Sequence, residues 1–385
     1  MTRPTVSRRH FNRAMIGGTL GLSAMRTAGA AYRGPNVIIV RFGGGVRRTE
    51  VIDPDRTWAP YLRHTLAKRG VLLPDVRIAD VEDMDTSHAE GTINILTGRY
   101  AAWRDASSEL LVPRIEPTSP TLFEYLRKTF DIPSHQSLLI NGEDRPQEEF
   151  FSFAKHKRFG GAFRAEVLSL YRYKRWLVRR LRAEPSRDDE LFARLQKDLA
   201  KMEDYQLPGR TPVDNTHLDQ FWARWRADYR DTGFINPRGD RLLTELALRA
   251  MRTLRPRLMM VNYQDPDYVH WGIASHYTRA IAIIDDGLRQ LVEAADRLDH
   301  YAGRTIVVVV PDCGRDANPL TRISFQHHFN TRSAREIWAV VVGPGIARGT
   351  LDKPVEQIQI AATVGASMGF ATPDADGHAI ADIFS

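Results

Sequence analysis

Apolar positions fall along this chain in short unbroken runs rather than in alternation. The clearest are "NVIIVRF" (36–42), "SLLI" (137–140), "RLMMVNY" (257–263), "TIVVVV" (305–310) and "IWAVVVGPG" (337–345). A strand covered on one face shows period two, whereas one covered on both faces is apolar throughout. The runs therefore predict buried strands of a mostly parallel sheet. Between them the spacing changes to the helical i, i+3, i+4. "TWAPYLRHTLAKRG" predicts a helix closed by Gly70, and "SPTLFEYLRKTF" one opened by Ser119 as N-cap with Pro120 at the first helical position. "YTRAIAIIDDGLRQLVEAADRL" carries the same apolar stripe. Strand–helix alternation at both ends of the chain predicts an α/β fold, a mostly parallel central sheet sandwiched by helices.

Residues 150–255 break this rhythm. No strand pattern is recognisable there, the helical stretches carry Trp176, Trp222 and Trp225, and residues 155–182 hold ten Lys/Arg against the single acid Glu166. The segment reads as a basic helical insertion or cap laid over one edge of the sheet. Such a face offers contact to an anionic substrate or to membrane headgroups, or is simply a solvated face whose arginines lie over apolar surface.

With 385 residues and 43% hydrophobic content, the chain has ample material for a large core. The net charge of +7 points at first to an acidic partner. The N-terminus changes that picture. "SRRHFNRAMIGGTLGLSAMRTAGA" has the twin arginine Arg8-Arg9, a weakly apolar run and Ala28-Gly29-Ala30, the layout of a twin-arginine export signal ending near residue 30. Its removal takes five arginines and leaves +2, which weakens the case for nucleic acid as a partner. The expectation is an exported α/β domain over residues 31–385, periplasmic or extracellular. One cysteine, Cys313, cannot form an intramolecular disulfide there.

Ligand sites in such sheets lie at the carboxyl ends of strands. Past strand 257–263 comes "QDPDYVHWG", with Asp265, Asp267 and His270; past strand 305–310 comes "PDCGRD", with Asp312 and Cys313. Ahead of the last strong strand stand His327 and His328, whose side chains point apart, so one of the two is expected at a shared site. Carboxylates, imidazoles and a thiol collected in this way suit a divalent ion, zinc above all. "DMDTSHAEGTINILTGRY" places Thr86 and Ser87 ahead of a helix, where a hydroxyl serves as N-cap or, beside a metal, as nucleophile.

The order of these pieces resembles the alkaline phosphatase superfamily, which includes sulfatases and phosphodiesterases; "LTGRY" and "VHWG" are the most telling segments. The resemblance covers roughly residues 35–145 and 255–370. It implies a hydrolase of phosphate or sulfate esters, with a small anionic ester as substrate and Ser87 or Thr86 as nucleophile. One ion would sit on Asp265 or Asp267, on His270, and on His327 or His328. A second would sit on Asp312 and Cys313. Two departures fall on that second site. The first strand ends in "RFGGGVRR" with no acid, and the late-strand Asp-His pair is Asp312-Cys313. Arg41, Arg47 or Arg48 would then supply positive charge in place of the ion. The alternative is a catalytically impaired relative that binds an anionic ligand or a protein partner.

Overall fold

The computed structural model describes residues 31–82, 84–106, 115–142, 146–185, 188–203, 215–234, 239–270, 272–317 and 325–385. The expected export signal lies outside them. Strands are β1 (Asn36–Phe42), β2 (Val71–Arg77), β3 (Trp103–Asp105), β4 (Ile115–Pro117), β5 (Ser137–Asn141), β6 (Glu166–Leu168), β7 (Leu258–Tyr263), β8 (Thr305–Val310), β9 (Glu336–Val342), β10 (Gly349–Thr350) and β11 (Val355–Glu356). Nine form one sheet in the order β10-β2-β9-β8-β1-β7-β5-β6, with β11 also beside β2. The central strand β1 runs parallel to both neighbours, β7 and β8, whereas β9 is antiparallel to β8 and β2. β3 and β4 form a separate ribbon.

Helices are α1 (Arg48–Val51), α2 (His88–Thr97), α3 (Leu122–Phe130), α4 (Leu170–Arg182), α5 (Asp189–Glu203), α6 (Thr216–Tyr229), α7 (Asp240–Thr253), α8 (Ala274–Arg297), α9 (Arg332–Arg335) and α10 (Gln359–Met368). Along β1 the side chains alternate between two cores. Val37 and Ile39 meet Ile93 of α2, Phe123 of α3 and Val364 of α10; Ile38, Val40 and Phe42 join the layer of Leu177, Trp225, Leu246 and Ile284 from α4, α6, α7 and α8. Every residue of β1 is buried, which is why its sequence shows no polar alternation. The expected α/β sandwich is the observed one.

Local departures have physical reasons. β2 contains Pro74, and its pairing with β9 slips between Leu73 and Val76, so proline sits at a bulge. β6, only three residues long, breaks the expectation of a strand-free stretch from 150 to 255; no periodicity can be read from "EVL". The helical turns Tyr61–Leu66 and Ala67–Arg69 end on Gly70 as C-cap, as expected, although its backbone is extended at φ −152° rather than left-handed. A Cβ there would stand 2.1 Å from the Val341 carbonyl oxygen, so close packing on β9 explains this glycine. α3 opens at Thr121, two residues later than Ser119, because Thr121 and Glu124 form a reciprocal capping box.

Within the basic stretch, Arg158, Arg172, Lys174 and Arg179 pair with Asp374, Glu149, Asp198 and Asp219. Part of its charge is therefore spent inside the fold. Glu124 of the capping box also receives the Ala154 and Gly160 amides at 3.0 and 2.8 Å, so four donors converge on one buried carboxylate. Glu124→Gln would turn an NH2 group against these donors. It should destabilise the protein by about 2–3 kcal/mol, read from urea unfolding; an unchanged midpoint would refute the role.

Candidate metal centre

The carboxyl ends of β1, β7 and β8 converge with the N-terminus of α2. β7 runs into a tight 3-10 turn, Asp265–Val269. In that geometry residues three apart lie one above the other. Asp267 and His270 therefore share a side, and His270 Nε2 stands 2.8 Å from Asp267 Oδ1. Two further imidazoles face the same oxygen: His88 Nε2 at 2.7 Å and His327 Nε2 at 3.6 Å. The ligand atoms of His88, Asp267, His270 and His327 all lie within 4.8 Å of one another.

Asp265 is placed elsewhere. It accepts the Asp240 amide at 3.2 Å, and the Asp240 carboxylate accepts the Gln264 and Asp265 amides in return, a mutual brace for the start of α7. His328 is stacked on His270, with ring centroids 5.5 Å apart, and is not one of the four converging groups.

A second group joins His88, Asp312 and Cys313. His88 Nδ1 lies 2.9 Å from Asp312 Oδ2, and the Cys313 sulfur lies 3.9 Å from the same nitrogen. Asp312 also accepts the amides of Gly44, Gly45 and Cys313, and the Arg41 guanidinium stands 3.8 Å away. The triple glycine thus lets β1's loop close on Asp312. A Cβ at Gly44, where φ is +86°, would meet the Asp267 amide nitrogen at 2.4 Å. Of the three arginines only Arg41 faces this site; Arg47 and Arg48 pair with Glu50 and Glu336.

The two hydroxyls are in different situations. Thr86 is enclosed and donates to the His327 carbonyl, while its amide donates to Asn330 Oδ1 at 2.9 Å. Ser87 is partly exposed, caps α2 by accepting the Glu90 amide, and donates to Glu90 Oε2 at 2.8 Å.

Protonation follows from these partners. Burial pulls the His88 pKa down, but Asp312 and Asp267 outweigh it and hold the ring well above the usual histidine range, as an imidazolium donating from both nitrogens. Burial works against the charge of Asp267 too, yet the three surrounding imidazoles keep it far below the usual carboxylate range. His327 is pushed down to about 3, by burial first and then by the charge of His88. Its Nδ1–H donates to the Thr86 carbonyl at 2.8 Å, which leaves a lone pair on Nε2. That Nε2 is buried without a hydrogen-bond partner and faces the Asp267 carboxylate. A lone pair aimed at an anion is repulsive unless a cation stands between them. The donor set fits a divalent ion, and the fixed Nδ1–H is the usual device for orienting a ligating histidine. His270 has a matching partner in Gln326 Oε1, 2.9 Å from its Nδ1.

Burial pushes the Cys313 thiol up to about 11. The metal-free native protein should therefore leave Ellman's reagent unreacted at pH 8 and yield its one thiol on denaturation. Fast native reaction would contradict the buried placement.

Sequence reasoning passed over His88, Gln326 and Arg315. His88 stood in the same polar turn as the hydroxyls, and only its placement as the first residue of α2 brings it between the two groups. Arg315 reads as a loop residue, yet it is fully buried and donates to the carbonyls of Gly44, Gly45, Pro266 and Phe325. It binds together the three segments that present Asp312, Asp267 and His327.

No family model and no curated protein matches the chain. Solved structures do. The wild-type alkaline phosphatase PafA is similar at a TM-score of 0.57 and 12% identity, covering 92% of this chain and 100% of that one. BT1596, a 2-O GAG sulfatase, gives 0.53 and 13%, with 91% and 74% covered. A protein in the alkaline phosphatase superfamily from Vibrio parahaemolyticus gives 0.52 and 13%, with 90% and 70% covered. The order of strands, the converging loops and these likenesses agree: the chain has the α/β fold of the alkaline phosphatase superfamily.

Proposed function

We propose that this protein hydrolyses phosphate or sulfate esters with one divalent cation, zinc by the chemistry of its ligands. The observation that carries the reading is the unpartnered His327 Nε2, aimed with His270 Nε2 at Asp267. Three protein ligands, Asp267, His270 and His327, are the number that leaves a catalytic ion an open position. The likeness to an alkaline phosphatase and a GAG sulfatase supports the same class of chemistry.

Bound there, the ion would polarise the ester and acidify a nearby hydroxyl. The chain's own residues supply the rest. Of the two hydroxyls, Ser87 is the one an ester can reach, and its proton passes to Glu90, whose pKa is raised by burial. The imidazolium of His88, at the amide-rich start of α2, keeps both protons on Asp267 and Asp312 and draws the anionic ester oxygens, while the proton taken up by Glu90 passes to the departing alcohol. The P–O or S–O bond to the alcohol breaks as one to Ser87 forms. Water then cleaves the Ser87 ester, releasing phosphate or sulfate.

Zinc-loaded protein should hydrolyse 4-nitrophenyl phosphate or sulfate and lose the activity to EDTA. Ser87→Ala should lower kcat/KM by roughly 10³-fold or more. Absence of turnover with every ester tried would sink the reading. It would instead favour a non-catalytic anion-binding protein, a second reading supported by the compensation of Asp312 by Arg41, His88 and three amides.

A further inference from the structure

Side chains of β6, α4, α5 and α6 line a cavity of about 400 Å³, and none of its described lining residues belongs to the candidate metal centre. This is the size of a small-molecule site. The basic stretch turns its charge toward it. Arg172, Arg175, Arg179 and Arg182 recur at i, i+3, i+7 and i+10, so they form one stripe along α4, and all four line the cavity. Among the described lining residues a single acid, Asp219, stands with them.

The lining divides by depth. Val167, Trp176, Leu199, Leu218 and Trp222 are all buried, between 1% and 8% exposed. Arg179 and Arg182 are exposed, the side chain of Arg179 by 51%. The floor is therefore apolar and the mouth cationic. Arg172, at the buried end of the stripe, meets the Glu149 carboxylate at 2.5 and 2.6 Å, with Glu166 3.8 Å away, so its charge is matched within the fold. Asp219 accepts Trp176 Nε1 at 3.0 Å and pairs with Arg179, which fixes the indole in the wall. Around the mouth, Arg175, Arg179 and Arg182 stand against Asp219, an excess of positive charge.

A ligand that satisfies both parts has an apolar body and an anionic head. An inorganic anion would meet the guanidinium groups and leave the indoles and leucines uncovered. An uncharged chain would cover the floor and offer the arginines nothing, although their planar forks suit the oxygens of a carboxylate, phosphate or sulfate. A flat bilayer surface would reach the exposed arginines but not the buried floor.

We propose that this cavity binds a single-chain amphiphilic anion, with its alkyl chain against Trp176 and Trp222 and its head at Arg175, Arg179 and Arg182. The site is independent of the ester-hydrolase reading, and its test needs no turnover.

Calorimetry on the full chain with octanoate, octanol and acetate reads the site. Octanoate should bind to one equivalent, about tenfold or more tighter than either octanol or acetate, with and without EDTA. Ala200→Trp places bulk at the exposed edge of the lining and should abolish octanoate binding. The double variant Arg179→Gln/Arg182→Gln should weaken octanoate by about tenfold and leave octanol unchanged. Both variants should unfold at the parent's temperature, since exposed ion pairs contribute little. Equal octanoate affinity in the parent and in Ala200→Trp would overturn the proposal, and so would octanol binding as tightly as octanoate. Loss of octanoate binding in EDTA would move the anion to the metal centre and overturn it too. Sedimentation with phosphatidylglycerol vesicles but no binding of octanoate would make the arginine stripe a membrane contact, and the proposal falls.

Discussion

Asp267→Asn is expected to remove zinc binding and to lower ester hydrolysis by roughly 10³-fold or more. The substitution keeps shape and volume but discharges the one carboxylate on which three imidazoles converge at 2.7, 2.8 and 3.6 Å. Without that charge the lone pair of His327 has no anion opposite it to share a cation with. His88 also loses one of the two carboxylates that keep it protonated. Competition with a chromogenic zinc chelator reads the affinity directly, and the nitrophenyl ester assay reads the activity. A variant that still binds one equivalent of zinc as tightly as the parent would refute the assignment. The matching change at Asp265, Asp265→Asn, separates the two aspartates: it should leave zinc affinity intact and weaken the start of α7, because its carboxylate receives the Asp240 amide.

Arg315→Met is expected to be the most damaging single change to stability. The guanidinium is fully buried and donates to four backbone carbonyls, at 2.7 Å to Gly45 and 2.8 Å to Pro266, with Gly44 and Phe325 completing the set. Methionine fills much of the same space and donates nothing. Each carbonyl left without a partner costs about 1–3 kcal/mol, so a loss of about 4 kcal/mol or more follows, and a Tm lower by roughly 10 °C. The damage should be selective. The loops after β1 and β7 and the segment leading to His327 all lose their shared anchor, so zinc affinity of the still-folded variant should also drop. A drop in Tm without any change in zinc affinity would show that Arg315 stabilises the fold but does not position the ligands.

How much of this was legible beforehand differs from element to element. β1 and β8 were readable to the residue, because strands covered on both faces must be apolar along their whole length. The polar clusters past β7 and β8 were readable too, since chains that leave a parallel sheet at one end deliver their side chains to one place. β6 was not, since three residues hold no period, and neither was the cap of α3, where Ser119 and Thr121 offer the same hydroxyl two residues apart.

Within the site, the residue types and their neighbourhood were local information, carried by composition and spacing. The selection among them was not. Asp265 and Asp267 are chemically equal in "QDPDYVH", as are His327 and His328 in "QHH". A 3-10 turn eclipses Asp267 with His270, and the Thr86 carbonyl turns His327 inward. His88 and Arg315 belong to the centre only because α2 starts between two strand ends and because three loops close over one cation. The sequence alone could therefore name the candidate groups, through patterns that span a few neighbouring residues. Which atoms meet depends on contacts between positions as far as 271 residues apart, and those exist only once the sheet has assembled.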